Sequence, residues 1–444
     1  MPTLHLFNPN PFGALPVSEV SVLLSVDEAV GRVLLAFSPL ETIRVPLSDC
    51  YGLVPSEDVL AKHDVPIDDN SAYDGYGVRA ADIAAAAADN PVRLRVAYDL
   101  AAGYVGEAPV GPGEAVRIMT GAPVPEGVDT VIGFEDTDRE DWGKLGTDPR
   151  GDSEQDRAFV NVVGVEAKGE NIRLAGEDIA AGDVALPAGT VLRAGAIGVL
   201  ASLGISQVPV HRRPRVGVVP TGDEVLEVDE DIQPGKVRNS HAWALAGLVD
   251  HYGAEAKRYP IVPDNVADVR AALALAAAEN DLIFTIGGVS MGDHDLVKNV
   301  VGTDGDADFW QIAMRPGKPL LFGDIGGTPI LGLPGNPVSG LVVFEQFGRP
   351  AVLKMLGRDR LEKPTVSAIA RTDLPGAGKR RMFVRVRVAR VGDGYECWTT
   401  GEQGSGIMTS MAFADGLAIV HEDIEMVKAG EAVTVQILDW TELG

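Results

Sequence analysis

Cysteine is nearly missing from this chain: Cys50 and Cys397 stand far apart and neither belongs to a CxxC pair. That excludes a disulfide framework or a cysteine zinc site and suits a reducing compartment. Histidine is scarce as well, and its seven residues form no HExxH or comparable set. Nor is there a Ser–His–Asp arrangement or a Walker loop. No apolar run approaches the roughly 20 residues that span a bilayer. The opening MPTLHLFNPNPFGALP has neither a basic n-region nor a continuous apolar h-region, so no signal peptide is read and a soluble, cytoplasmic protein is expected. Positive charge is also short, with 38 Lys and Arg against 64 Asp and Glu, a formal net charge of −26. Such a surface repels nucleic acid and anionic lipid, which argues against either as a partner. An anionic substrate could be held only by local Arg and Lys working against the global field.

What is present is a chain of 444 residues, too long for one core, with 52 Gly and 29 Pro that predict many turns and several β-rich pieces. Residues 19–36 carry apolar side chains at helical spacing and predict an amphipathic helix. The alanine-rich tract Ala80–Asp89 reads as a short solvent-facing helix or loop, and 137–157 as a charged hairpin excursion or linker. From about Arg215 to Pro350 strands alternate with helices. Val216–Val219 is an apolar strand, and Ser240 can cap a helix with Leu245, Leu248, Val249 and Tyr252 on one face and Gly253 as its stop. A second helix shows Val266, Val269 and Leu273 on one side and feeds the buried strand 281–286. Such alternation implies a mainly parallel sheet, whose ligands sit beyond the carboxyl ends of the strands. After Pro350 the pattern is all-β and reads as a small barrel or sandwich. The expected division is therefore an N-terminal β-rich domain (17–61 with 158–210), a small inserted domain (62–157), an α/β domain (211–357) and a C-terminal β domain (358–444).

Several turns concentrate polar chemistry. Asp69–Tyr76 (DNSAYDGY) is either a self-organised Asx turn or a rigid platform that presents Asp74 to a ligand. In Arg117–Pro125 (RIMTGAPVP), Thr120 and Gly121 sit where a strand meets a proline-stiffened turn, whose backbone N–H groups could hold an anion. Thr221-Gly222-Asp223-Glu224 puts two carboxylates at the ligand edge of the sheet. Gly287-Gly288-Val289-Ser290 allows backbone to approach a phosphate, with Asp293 and Asp295 following. Together with Asp264, in a neighbouring βα loop, these acids form a carboxylate cluster, and oxygen-rich clusters beside phosphate suit Mg²⁺. Arg315-Pro316-Gly317-Lys318-Pro319 supplies the missing cations, and Leu333–Ser339 (LPGNPVS) opens an apolar helix with Ser339 near its start. The chemistry reads as oxyanion and metal handling rather than acyl transfer.

Seven strings occur in order: DNSAYDGYGVR, RIMTGAPVPEGVDTVI, GENIRLAGEDI, TGDEV, GGVSMGDHD, RPGKPLLFG and GLPGNPVSGLVVFE. Together they span Asp69 to Glu345 and closely resemble the MoeA family and the E domain of gephyrin. The resemblance implies a multidomain α/β plus β fold, with a MoaB/MogA-like α/β domain, a small insert and a C-terminal β-barrel-like domain. It implies a molybdopterin molybdenumtransferase that inserts molybdate into adenylylated molybdopterin and releases AMP with Mg²⁺. It further implies a homodimer that meets other proteins of molybdenum cofactor biosynthesis and acceptor apoenzymes. Carried across by motif, Asp74, Thr120 and Asp178 would be acidic-cleft residues, and Glu224, Asp264 and Asp295 would hold Mg²⁺ or position the reactants. Gly287, Gly288, Ser290, Arg315, Lys318, Pro319 and Ser339 would contact substrate. Arg380 (with Arg381 as the other choice) and Ser405, in Gln403-Gly404-Ser405, would complete the molybdate pocket. Tyr73 stands where the family usually has Met, Asn239-Ser240-His241 where Asp-Ser/Thr-Asn is commoner, and Gln311 and Arg315 where Lys is often found. The alternatives are a carrier or scaffold without turnover, a tungstate-preferring paralogue, and a nucleotide hydrolase of the CinA kind sharing only the α/β module.

Overall fold

The computed structural model describes residues 23–138, 159–288 and 296–439. The described chain forms two compact units, one holding the residues up to Glu57, Gly189–Arg193 and those from Gln207 onward, the other Asp58–Ala188 and Ala194–Ser206.

The larger unit is built on a seven-stranded sheet. Its strand Arg215–Pro220 is flanked in parallel by Glu255–Arg258 and Leu282–Ile286, the latter pairs in parallel with Thr328–Leu333, and antiparallel pairings then lead through Pro319–Ile325 to Ala307–Ile312. Side chains alternate between two cores, as the period of two along a strand requires. Val216, Val218, Leu282, Phe284, Leu320, Phe322, Leu331 and Leu333 face one core, and Val219, Ile283, Leu321 and Ile330 face the other. Helices Ser240–His251 and Pro337–Val343 cover the first face, Val266–Glu279 and Leu296–Asp304 the second.

The helix Ser240–His251 buries Leu245 and Val249 and is followed by Gly253 at φ +95°. Its cap is Asn239 rather than Ser240: the Asn239 side chain accepts from the Ala242 N–H at 3.3 Å, and Ser240 is already the first helical residue. In Val266–Glu279 the buried stripe is Val269, Leu273 and Ala276, while Val266 is exposed at the amino end. The first predicted helix is shorter than its pattern, Val26–Leu35, capped by Ser25. Leu23–Leu24 ahead of it is instead a strand, recruited in parallel by Gln311–Ile312.

Beyond the α/β sheet the same unit closes a barrel. Arg381–Val391 pairs with Gly394–Thr399, that strand with Thr365–Ala370, then Ala432–Ile437 and Gly416–Val420, which returns to Arg381–Val391. Met382, Val384, Val386 and Val388 fill its interior. The short strand Met314–Arg315, from the α/β portion, adds in parallel to Arg381–Met382.

The smaller unit carries a five-stranded sheet, ordered Thr130–Gly133, Gly75–Val78, Glu114–Ile118, Val92–Leu100, Phe159–Val162. The alanine-rich tract is not wholly solvent-facing: it forms the helix Ala80–Ile83, and Ile83 is fully buried with Ala86 in this unit's core. Of the 137–157 excursion, only its first two residues fall within the described residues.

Candidate functional site

In the smaller unit three motif loops converge. The Ser71 N–H donates to the Ala122 carbonyl at 3.0 Å and the Gly121 N–H to the Ser71 carbonyl at 2.8 Å, which ties the Asp69–Tyr76 turn to the Thr120–Pro123 turn. Gly121 sits at φ +81°, a conformation few side chains tolerate. Gly75 has no room for a Cβ, which would strike the Ile132 carbonyl. The turn these glycines permit exposes Asp74, whose Oδ1 accepts from both the backbone N–H and the hydroxyl of Thr120, at 2.7 and 2.9 Å. The third loop, 169–181, is hung on two more acids: Asp69 accepts from the Ala175 N–H and Asp64 from the Ala181 N–H, at 2.8 and 2.7 Å. Asp178 lies on this loop, exposed, with its own N–H donating to the Val65 carbonyl.

In the larger unit the candidate loops follow the carboxyl ends of four adjacent parallel strands. The Thr221 N–H and hydroxyl both donate to the Ile286 carbonyl, and Gly287 at φ +87° packs against Thr221 so closely that a Cβ would lie 3.2 Å from its oxygens. The Gly287 N–H donates to Leu333, and Gly335 packs on the Gly287 Cα. Gly288 is also left-handed, at φ +65°. Asp223 and Asp264 hold each other: each carboxylate accepts the other's backbone N–H, at 3.2 and 3.1 Å. The Glu224 carboxylate folds back over Gly222, and its carbonyl accepts from the Val237 N–H. Lys236 reaches in to donate to the Asp223 carbonyl. From sequence, Asp223 stands out only as one of the two TGDE carboxylates, with no role of its own, and Lys236 is not singled out. Ser290 and Asp295 lie outside the described residues. Among the described residues no group of three or more His, Cys, Asp or Glu is arranged to hold a metal.

A cationic corner lies where the α/β portion meets the barrel. The loop 313–318 is closed by the Ile312 N–H donating to the Lys318 carbonyl at 2.7 Å, and Gly317 at φ +99° lies against Val343 and Ser339. Arg315 and Lys318 are both exposed, and among the described residues neither side chain has an ion-pair partner. Strand register sets Arg315 opposite Met382, two positions from Arg380. Arg381 is occupied elsewhere, by a bidentate pair with Asp27 at 2.8 and 2.9 Å and by Glu422. The Ser405 carbonyl accepts from the Val338 N–H at 3.2 Å, which brings the Gln403–Ser405 turn to the start of the helix that carries Ser339. Pro319 begins the strand that leaves the corner.

The MoeA N-terminal region (domains I and II) matches residues 24–204, the "probable molybdopterin binding domain" residues 217–354, and the MoeA C-terminal region (domain IV) residues 367–438. The molybdopterin molybdenumtransferase 2 of Mycobacterium tuberculosis is 37% identical over 399 residues, covering 88% of this chain and 94% of that one. The chain belongs to the MoeA family. The molybdopterin molybdenumtransferase of Haemophilus influenzae is 34% identical over 419 residues, 93% of this chain and 98% of the relative. A crystal structure of the molybdopterin biosynthesis MoeA protein of Pyrococcus horikoshii OT3 superposes with a TM-score of 0.78 at 28% identity, covering 94% of this chain and all of that one.

His241, in the Asn239-Ser240-His241 string, lies in the interior. Its ring is buried against Gly340, where a Cβ would overlap it, and among the described residues neither ring nitrogen has a hydrogen bond of good geometry. Burial pushes its pKa down to about 4, opposed only in part by the nearby Gly335 backbone, so the imidazole is neutral at physiological pH.

Proposed function

We propose that the chain is a molybdopterin molybdenumtransferase that takes molybdate and adenylylated molybdopterin, inserts the metal and releases AMP. The observation that carries this reading is the corner at Arg315 and Lys318: two exposed cations without described acidic partners, on a glycine–proline loop beside Ser339, Arg380 and Ser405, in a chain of net charge −26. In a protein this acidic, unpaired cations fixed on a stiff loop suit a small dianion. Arg315, Lys318 and Arg380 would bind molybdate, with Ser339, Ser405 and Pro319 shaping the pocket. Gly287 and Gly288, with Ser290 from the same motif, would let backbone approach the phosphate.

Glu224 and Asp264 at the strand ends fit Mg²⁺ by donor chemistry, because both are exposed carboxylates that offer oxygen donors. Glu224, Asp264 and Asp295 are the proposed holders, with Asp223 orienting Asp264. When bound, the cation supplies charge neutralisation at the phosphate oxygens. Asp74, fixed by Thr120, and Asp178 would orient the substrate. Catalysis is positioning plus electrostatic stabilisation of the phosphoanhydride as it breaks. We further propose a cytoplasmic homodimer, the latter checked by sedimentation velocity. Among the described residues no helix is long and apolar enough to cross a membrane.

The test is AMP release from adenylylated molybdopterin with Mg²⁺, with and without molybdate, for wild type and Asp74→Ala. Molybdate-dependent release that collapses in the variant supports the insertase. No release with any oxyanion, while the ligand still binds, points instead to a carrier.

A further inference from the structure

One buried cation near the proposed oxyanion corner has no carboxylate beside it among the described residues. In the strand Arg381–Val391, Met382, Val384, Val386 and Val388 point into the barrel, so Phe383 and Arg385 project from its outer side. Phe383 there joins the core of the α/β portion, and Arg385 is wholly buried. Its Nε donates to the Ser410 hydroxyl at 3.2 Å and Nη2 to the Gly404 carbonyl at 3.1 Å, while Nη1 has no hydrogen-bond partner among the described residues. Burial pushes the guanidinium down to about 10, and no acid opposes that shift. Two residues along the same strand, Arg387 has Asp415 at 3.0 Å. An isolated buried charge is costly unless something of opposite sign compensates it.

The residue is also locked to the turn that ends in Ser405. Its N–H donates to Gln403 Oε1 at 2.8 Å, its carbonyl accepts from Gln403 Nε2 at 3.2 Å, and Nη2 holds the next carbonyl, that of Gly404. Ser405 in turn meets Val338, beside Ser339. We propose that Arg385 is the positioning residue of the oxyanion pocket: it fixes Gln403-Gly404-Ser405 and stands behind that turn as an uncompensated positive charge that a bound dianion balances. The proposal rests on the reading of the corner as a molybdate pocket.

The experiment is equilibrium dialysis of molybdate against the full-length chain, with melting temperature recorded for every variant. Arg385→Gln removes the charge, Arg385→Lys keeps it while losing the fork, and Ser410→Asp neutralises the guanidinium in place without touching a proposed ligand. A unit charge at short range in a protein interior changes dianion affinity by about tenfold or more. Arg385→Gln and Ser410→Asp should each show that loss, and Arg385→Lys should lose clearly less. Wild-type affinity in a folded Ser410→Asp or in Arg385→Gln overturns the proposal, and Arg385→Gln decides it alone where Ser410→Asp does not fold. A purely structural arginine would make Lys and Gln equivalent and leave Ser410→Asp tight. Arg315→Ala separates the two readings: if it binds molybdate like wild type, the pocket itself is misassigned, whatever Arg385 does.

Discussion

Thr120 donates twice to a single oxygen of Asp74, through its backbone N–H at 2.7 Å and its hydroxyl at 2.9 Å. The pair fixes the direction of an exposed carboxylate that would otherwise rotate freely. Thr120→Val keeps the backbone donor and loses the hydroxyl, whereas Thr120→Ser keeps both. Because the pair is exposed, Thr120→Val should cost at most about 1 kcal/mol of stability. Loss of orientation should nonetheless lower AMP release by about tenfold to a hundredfold, with Thr120→Ser near wild type. Steady-state kinetics on the two variants checks it, and equal rates for Val and wild type would remove Thr120 from the site.

The stretch between the helix Arg349–Met355 and the barrel strand Thr365–Ala370 is pinned by a buried ion pair. Lys363 Nζ lies 2.7 Å from Glu345 Oε2, and the side chains are 4% and 1% exposed. The Tyr252 hydroxyl meets both Glu345 oxygens at 3.0 Å and also takes a hydrogen bond from Lys363. Burial pushes Lys363 down and the Tyr252 phenol up, while the Glu345 charge pulls Lys363 back upward. Lys363→Met would strand a buried carboxylate and should cost about 3–5 kcal/mol, whereas Lys363→Met with Glu345→Leu should recover much of that loss. Chemical denaturation of the single and double variants decides it, and an equally unstable double variant would contradict the account.

The α/β sheet was legible because strands buried on both faces run as unbroken apolar stretches between helical segments, and the barrel because short strands follow one another with glycine turns between them. What escaped were contacts made by distant segments. Leu23–Leu24 looks helical beside Val26, but pairing with Gln311–Ile312 takes it into the sheet. Ile83 disappears in an alanine-rich tract, and only the packed core of the smaller unit reveals it. The site turns were visible as strings, whereas their partners were not. Asp264 and Asp223 exchange backbone-to-carboxylate hydrogen bonds across a turn that Gly222 takes at φ +133°, which no spacing rule foretells.

His241 makes stability depend on acid pH. The unfolded imidazole titrates near 6.5, whereas burial holds the folded one near 4. Between those values the unfolded state binds the extra proton. Stability is therefore full above about pH 6.5 and is lost as pH falls toward 4, by up to about 3 kcal/mol. His241→Asn should be less stable at neutral pH yet lose less on acidification. Melting curves from pH 7.5 to 4.5 read the gap between the two proteins, and parallel curves would show that His241 is not held neutral.

Arg380 and Arg381 are adjacent in sequence and should respond oppositely to substitution. Arg381 forks onto Asp27, whose pKa is lowered chiefly by that hydrogen bond, and Glu422 adds to its surroundings. The Asp27 side is largely open to solvent, which limits what the pair contributes. Arg381→Ala should therefore cost about 1 kcal/mol or less and leave molybdate affinity within about twofold. Arg380→Ala removes a proposed ligand cation close to Arg315 by strand register, so affinity should fall about tenfold or more with little change in melting temperature. Raising the salt concentration should weaken wild-type binding more than that of Arg380→Ala, because one fewer charge remains to be screened. The reverse pattern, with affinity lost in Arg381→Ala alone, would move the oxyanion contact one residue along the strand.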